Sequence, residues 1–221
     1  MEAARSLQAL ERALAAALPG PLPGAEAQAR MAPVPRPGWT PEHPSPPGIP
    51  AAVLVLFYPA ANRLQSAVPV PHVLLTERTG AVEKHKHQIA YPGGSLEPDE
   101  TPIAAALREA HEETGVSPSL PRVLGALTPL YVPATGFTIQ PFVATVARRP
   151  ALRRQPSEVA RLLEVPLARL LEPECLRFAA TSTDGLWREV PYFDLGGQRL
   201  WGASAMITAE WLALLGWERP D

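Results

Sequence analysis

One cysteine, Cys175, stands among 221 residues, so no disulfide can close within the chain. Its expected role is that of a small apolar side chain near a helix end. No apolar run reaches the ~18–20 residues that a bilayer-crossing helix needs. The first eighteen residues lack a basic segment ahead of an apolar stretch and carry Glu2 and Glu11 within a helical pattern, so a secretory leader is not expected. Net charge is only −2, with acidic and basic residues interspersed, which argues against an electrostatic nucleic-acid binder. No internal repeat is present. What these absences leave is a cytoplasmic protein that binds neither nucleic acid nor membrane, long enough for one substantial core.

What the chain has in excess is proline, and it is unevenly placed. Residues 19–50 hold 11 of the 28 prolines, which predicts either an extended strap that wraps the core or a loose, disordered linker, with neither regular helix nor central strand. Before it, residues 1–18 read as an amphipathic helix with Leu7, Leu10, Leu14 and Leu18 in one stripe. That stripe can pack on its own domain or on a partner subunit, which would make a homodimer. The expected division is a helix and proline-rich extension over 1–50 and a catalytic domain over 51–221.

The domain opens with two buried-strand signals, Ala52 to Tyr58 and His72 to Glu77. Further strands are expected over Val123 to Tyr131 and Phe137 to Ala147, joined by the turn signal Val132-Pro133-Ala134-Thr135-Gly136. Ser157 to Leu171 reads as a helix interrupted at Pro166. A hairpin across Gly196-Gly197 joins Tyr192–Leu195 to Gln198–Trp201, and Ala203 to Leu215 closes the chain as a helix.

The densest information lies in Gly94 to Val116, GSLEPDETPIAAALREAHEETGV. Gly94 is followed after five residues by Glu100, and after seven more by Arg108-Glu109, then by Glu112-Glu113 and Gly115. At residue frequencies of about 6–7 %, chance would produce that pattern roughly once in a million chains of this length. Thr101 is a candidate N-cap, Pro102 fits the first helical position, and Gly115 is a helix stop. Ile103, Leu107, Ala110 and Thr114 share one face, suited to burial on a sheet, with His111 on another bearing as a solvated side chain. Glu109, Glu112 and Glu113 stand at i, i+3 and i+4, where like charges repel by a few tenths of a kcal/mol per pair. A carboxylate cluster retained at that cost suits a hard cation, Mg²⁺ or Mn²⁺, that also binds phosphate oxygens.

This segment resembles the Nudix box, G-x5-E-x7-R-E-U-x-E-E-x-G-U with U apolar, and matches it at every position, Ala110 and Val116 filling the two U places. The resemblance implies an α/β (α+β) fold, an α/β/α sandwich with a mixed sheet, to which the N-terminal helix and strap are added. It also implies divalent-metal hydrolysis of nucleoside diphosphates linked to another group. By the same resemblance Glu109, Glu112 and Glu113 would be metal ligands or water activators, while Glu100, Arg108 and Gly115 would brace the loop and helix.

Stretches flanking the box resemble coenzyme A diphosphatases within that family. Leu74-Leu75-Thr76-Glu77-Arg78, His85, Gln88 and Tyr91-Pro92-Gly93-Gly94 are similar to the L-L-T-x-R, His-x-Gly-Gln and F-P-G-G signature ahead of the box. Similar matches follow at Tyr131-Val132-Pro133, Gly136-Phe137, Pro141-Phe142, Glu158-Val159-Ala160, Val165-Pro166-Leu167 and Trp201-Gly202-Ala203. Two positions depart: His87 replaces the Gly before Gln88, and Glu83 stands where a basic residue is common.

A diphosphate resists water because its own negative charge repels a nucleophile, so a carboxylate must also take the proton of the attacking water. Glu112 and Glu158 are the candidates, Arg108 completing the catalytic set. Glu158 is expected to open a helix, where the macrodipole alone would favour it, or to act as second-site metal ligand or base. Arg78 can hold a phosphate through its guanidinium fork or be a strand-end surface residue. Lys84, His85, Lys86 and His87 are either a solvated loop or a flap on the nucleotide's 3′-phosphate. Gly93, Gly94 and Phe137 complete the expected contacts with a small nucleotide substrate. The activity expected is hydrolysis of coenzyme A or its derivatives to adenosine 3′,5′-bisphosphate and 4′-phosphopantetheine. The alternatives are another nucleoside diphosphate derivative, such as ADP-ribose or a dinucleotide, and a non-catalytic ligand-sensing domain of the same fold.

Overall fold

The apolar run at Ala52 to Tyr58 is buried on both sides, and the architecture follows from what covers each side. The computed structural model describes residues 6–34, 48–62, 66–79, 88–183 and 186–219. The elements are α1 (Leu7–Ala17), α2 (Gly24–Ala29), β1 (Ile49–Asn62), β2 (Ser66–Arg78), β3 (Ile89–Ala90), β4 (Gly93–Ser95) and α3 (Pro102–Thr114). They continue with β5 (Arg122–Ala126), β6 (Leu130–Val132), β7 (Phe137–Thr145), β8 (Val159–Pro166) and α4 (Leu167–Leu170). A 3₁₀ turn at Pro173–Cys175 leads into β9 (Leu176–Thr183), β10 (Leu186–Asp194), β11 (Arg199–Trp201) and α5 (Gly202–Leu214).

Among the described residues eight strands form one mixed sheet in the order β3-β2-β1-β7-β5, with β4 paired to β1, β6 to β7 and β8 to β2. Only β1 and β7 run parallel, Ile49 opposite Phe137 through Phe57 opposite Thr145. Alternate residues of β1 serve opposite layers. Ala52, Leu54, Leu56 and Tyr58 meet Ala105, Ala106 and Ala110 of α3. Val55 and Phe57 meet Leu10 and Leu14 of α1 and Trp211 of α5, Phe57 and Trp211 packing edge to face with ring centroids 5.0 Å apart. A strand covered by helices on both faces loses polar alternation, which is why this stretch reads as continuous. The fold is the α/β/α sandwich expected, with β9, β10 and β11 forming a separate antiparallel sheet. Among the described residues no helix is long and apolar enough to cross a membrane.

The leucine stripe of α1 packs on its own chain, with Leu10 and Leu14 fully buried. The first part of the proline-rich stretch is no strap. Residues 24–32 contain no proline, α2 forms there, and Met31 and Ala32 are buried after it. Gln28 fastens this segment, donating to the Thr128 carbonyl at 3.1 Å and to Glu210 Oε2 at 2.9 Å. Glu210 Oε1 accepts from the Thr128 amide at 3.0 Å, so a fully buried carboxylate joins α5, α2 and the segment after β5. Residues 35–47 lie outside those described.

Two further expectations change. The helix expected over Ser157 to Leu171 is strand β8 followed by the single turn α4. Val159, Leu162, Leu163 and Pro166 fit helical spacing, but the open edge of β2 takes the segment in antiparallel register, His72 opposite Pro166 through Glu77 opposite Arg161. Leu163 and Val165 then face the α5 side while Leu162 faces α3; strand pairing overrides local propensity. The strand expected over Val123 to Tyr131 divides into β5 and β6, because Pro129 has no N–H and the Thr128 amide is given to Glu210.

Leu14→Ala should lower the unfolding free energy by about 2–5 kcal/mol, as expected for truncating a fully buried leucine. Chemical denaturation measures it. A change below about 0.5 kcal/mol would mean that α1 does not share the core.

Candidate metal centre

The loop–helix segment folds as its caps dictate. Thr101 Oγ1 accepts from the Ala104 amide at 3.4 Å, Pro102 opens α3, and Gly115 closes it at φ 75° with its N–H on the His111 carbonyl at 2.8 Å. The helix is seated differently from the stripe expected. Its buried residues are Ala105, Ala106, Ala110, Glu113 and Thr114, with Ile103 and Leu107 only partly covered. The alanines let the helix approach the sheet closely, and that rotation carries Glu113 inward. His111 stays exposed.

The place of closest approach is β4. Gly94 pairs with Ala52 and Gly93 with Val53 on β1. A Cβ on Gly94 would stand 2.4 Å from Glu109 Oε1, so the missing side chain is the seat of that carboxylate. Gly93 has φ 155°, and a Cβ there would meet the Ala52 carbonyl oxygen at 2.3 Å. Its N–H donates to the Glu113 carboxylate.

Arg108 organises the outer side. Its Nε and Nη2 donate to the two oxygens of Glu100 at 2.9 Å each, and Nη2 also reaches the Ser95 carbonyl at 3.1 Å. Nη1 donates to Glu109 Oε1 at 2.9 Å and Glu112 Oε2 at 3.3 Å. Glu100 Oε2 further accepts from the Glu97 amide at 3.0 Å. The Arg108 hydrogen bonds, with that amide, hold the Glu100 carboxyl down to about 2.

The three helix carboxylates therefore differ. Glu112 is exposed and Glu109 half-buried, its pKa raised by burial against the opposing pull of Arg108. Glu113 is 3 % exposed, and burial pushes it up to about 8 even though Arg78 Nη1, 3.9 Å away, draws it down. Its Oε2 is buried with no hydrogen-bond partner. A buried carboxylate oxygen with nothing to bond is costly, and a bound cation would offset that cost. Glu158 lies exposed in the turn before β8, its backbone carbonyl accepting from the Thr79 amide at 2.8 Å. Its charge adds a small upward push to the pKa of both Glu109 and Glu113. No helix begins at Glu158, so a macrodipole does not account for it.

An all-oxygen donor set with an orphaned buried oxygen fits Mg²⁺ or Mn²⁺. As they stand, no three acidic, His or Cys side chains among the described residues form a ready metal cluster, and Arg108 Nη1 bonds both Glu109 and Glu112. The structure thus gathers Glu109, Glu112, Glu113, Glu158, Arg108, Arg78, Gly93 and Gly94, with Glu100 and Gly115 framing the helix. Phe137 is apart: it pairs with Ile49 four positions along β1 from Val53, about 13 Å along the sheet. His85 lies outside the described residues. Tyr91 is a tie that the sequence did not announce. Its hydroxyl lies 2.6 Å from Thr208 Oγ1 and accepts from Trp211 Nε1 at 2.9 Å, both on α5. Apart from its place before Pro92-Gly93-Gly94, no pattern in the chain marks it as anchored there.

A family model for the NUDIX domain matches residues 49–180. An uncharacterized Nudix hydrolase, NudL, of Photorhabdus laumondii is 35 % identical over 140 residues, covering 63 % of this chain and 74 % of its own. A protein of the same description from Yersinia pestis is 33 % identical over 158 residues, covering 68 % and 79 %. The solved structure of a MutT/nudix family protein from Enterococcus faecalis aligns over 80 % of this chain and 65 % of its own, at 19 % identity and a TM-score of 0.48.

The raised Glu113 pKa has a sign that can be tested in the metal-free protein. Between its unfolded value near 4.5 and about 8 the folded state binds the extra proton, so stability falls as pH rises through that window. Glu113→Gln should therefore raise Tm of the EDTA-treated protein at pH 8 and leave it nearly unchanged at pH 4.5. Equal shifts at both pH values would contradict the buried, uncompensated carboxylate. Gly94→Ala should weaken Mn²⁺ binding by at least about tenfold in calorimetry, through displacement of the Glu109 carboxylate; unchanged affinity would remove Glu109 from the donor set.

Proposed function

The chain belongs to the Nudix hydrolase family, and from that premise we propose that it is a divalent-metal-dependent hydrolase of the diphosphate bond in coenzyme A or its derivatives. The observation that carries the reaction type is the orphaned, buried Glu113 oxygen on the helix that also carries Glu109 and Glu112. The coenzyme A assignment is supported by the stretch from Leu74 to Gly94 and by the matches beyond the box.

Glu109, Glu112 and Glu113 would hold the metal. When bound, Mg²⁺ or Mn²⁺ supplies positive charge against the diphosphate oxygens and lowers the pKa of a coordinated water. The residues of the chain do the rest. Arg108 keeps Glu109 and Glu112 in reach of one another and ties the helix to the loop through Glu100 and Ser95. Gly93 and Gly94 let α3 come close to β4, and the room left by the missing Gly94 side chain seats the Glu109 carboxylate. Arg78, one-third exposed and oriented toward Glu113, binds a phosphate oxygen and balances charge as the leaving group departs. Glu112, the most exposed of the three, or Glu158, which carries no constraint from a helix, receives the proton of the attacking water. Water attacks one phosphorus, the bridging P–O bond breaks, and the products are adenosine 3′,5′-bisphosphate and 4′-phosphopantetheine.

With Mg²⁺ or Mn²⁺, a substrate panel should show coenzyme A turned over ahead of ADP-ribose and dinucleotides, with those two products by chromatography. ADP-ribose well ahead of coenzyme A would sink the substrate assignment and leave the reaction type intact. Glu112→Gln should lower kcat by about 10²–10⁴, the range for loss of a positioned base; full activity would exclude Glu112 from the chemistry.

A further inference from the structure

On the α5 side of the sheet, the end of β2 opens into a cleft of about 440 Å³. Its walls are Glu77 on β2, Gln88 before β3, Arg161 on β8, and Gln198, Arg199 and Trp201 from the β10–β11 hairpin. Glu77 and Arg78 are consecutive, at a register break between β2 and β8, so one points into this cleft and the other toward Glu113. The two places are also joined through the backbone, since the Arg78 amide donates to the Gln88 carbonyl at 3.0 Å. The two places thus lie on opposite faces of the same strand end.

The lining has a definite chemistry. Arg161 is ion-paired with Glu77 at 2.6 Å, which neutralises both. Arg199 lies with its guanidinium 4.9 Å over the Tyr192 ring, and among the described residues no carboxylate pairs with it. Among the described residues the lining therefore carries one net positive charge, held in place by an aromatic ring rather than cancelled by an acid. Trp201 contributes a large aromatic surface that is 41 % exposed, with Gln88 and Gln198 in the same lining. An exposed indole beside an uncompensated guanidinium suits a flat heterocycle that bears an anionic group. A bare phosphate would need no indole, and an acyl or peptide-like chain would need no arginine.

We propose that this cleft seats the phosphorylated nucleoside end of the substrate, with the base stacked on Trp201 and the phosphate on its ribose held by Arg199. This rests on the coenzyme A reading, because only that substrate among those considered carries a phosphate on the ribose away from the scissile bond. It assigns the two ends of the molecule: the nucleoside lies on the β11 side of the strand end and the pantetheine chain leaves on the α3 side.

The test is direct binding to the full chain in EDTA, where the carboxylates do not attract phosphate. Calorimetry with adenosine 3′,5′-bisphosphate and with AMP should show the bisphosphate bound about tenfold more tightly. Trp201→Ala should weaken both ligands by about tenfold, in the range of one lost base stack, and Trp201→Phe should recover most of that. Arg199→Gln should remove the preference for the bisphosphate and leave AMP little changed, and Arg199→Glu should reverse it. Affinities unchanged in all four variants would overturn the proposal, as would equal binding of the two nucleotides by the unaltered protein. Because this readout needs no turnover, it separates from the substrate panel. Poor hydrolysis of coenzyme A with the binding pattern intact refutes the substrate reading, and good hydrolysis with the pattern absent refutes the cleft.

Discussion

Helix α3 can lie against the sheet only because β4 has no side chains where the two meet. Gly93 and Gly94 are hydrogen-bonded into β1, and a methyl group on either would collide with the Ala52 backbone or with the Glu109 carboxylate. Ala105, Ala106 and Ala110 complement them from the helix side. The small residues on both surfaces bring charged groups into a space that otherwise would be apolar core. Glu113 is driven inward by this approach, and its raised pKa and orphaned oxygen are the direct result. Burying such a carboxylate without a partner costs the core stability.

The remainder of the molecule holds that close approach in place. Arg108 binds Glu100 with both arms of its fork and the Ser95 carbonyl with one, so the loop before the helix cannot drift from it. From the opposite layer, Trp211 and Thr208 of α5 bond the Tyr91 hydroxyl, and burial pushes that phenol up to about 12, which keeps it neutral at any physiological pH. Helix α5 is itself tied to α2 and the segment after β5 by Glu210. The glycine pair is thus gripped from both faces of the sheet, and the N-terminal residues belong to the same core.

Some of this was legible in the chain, and the reasons differ by element. The caps of α3 depend on contacts between residues three or four apart, so Thr101, Pro102 and Gly115 announce them locally. The β10–β11 turn is likewise local, Gly196-Gly197 standing under Asp194 Oδ1. The run Ala52 to Tyr58 declares a strand covered on both sides. β8 was not legible, because Val159, Leu162, Leu163 and Pro166 satisfy helical spacing and not strand alternation, and the edge of β2 nevertheless takes the segment as a strand. α2 was hidden by its prolines, since composition averaged over 19–50 conceals a run of nine residues without one.

The site divides in the same way. Spacing along one helix determined which carboxylates stand together and that a hard cation suits them, because i, i+3 and i+4 fix neighbours within any α-helix. It also located the glycines and the bracing pair Glu100 and Arg108. Only the tertiary structure decided that the helix turns Glu113 into the sheet, that Glu158 lies in the turn before β8 rather than at a helix start, and that Phe137 lies at the far end of β7. It alone joined Arg161, Arg199 and Trp201 into one cleft with residues of β2, across more than a hundred positions of chain. Local periodicity sets which side chains share an element's face. Which face is covered, and by what, is settled by long-range packing that no spacing records.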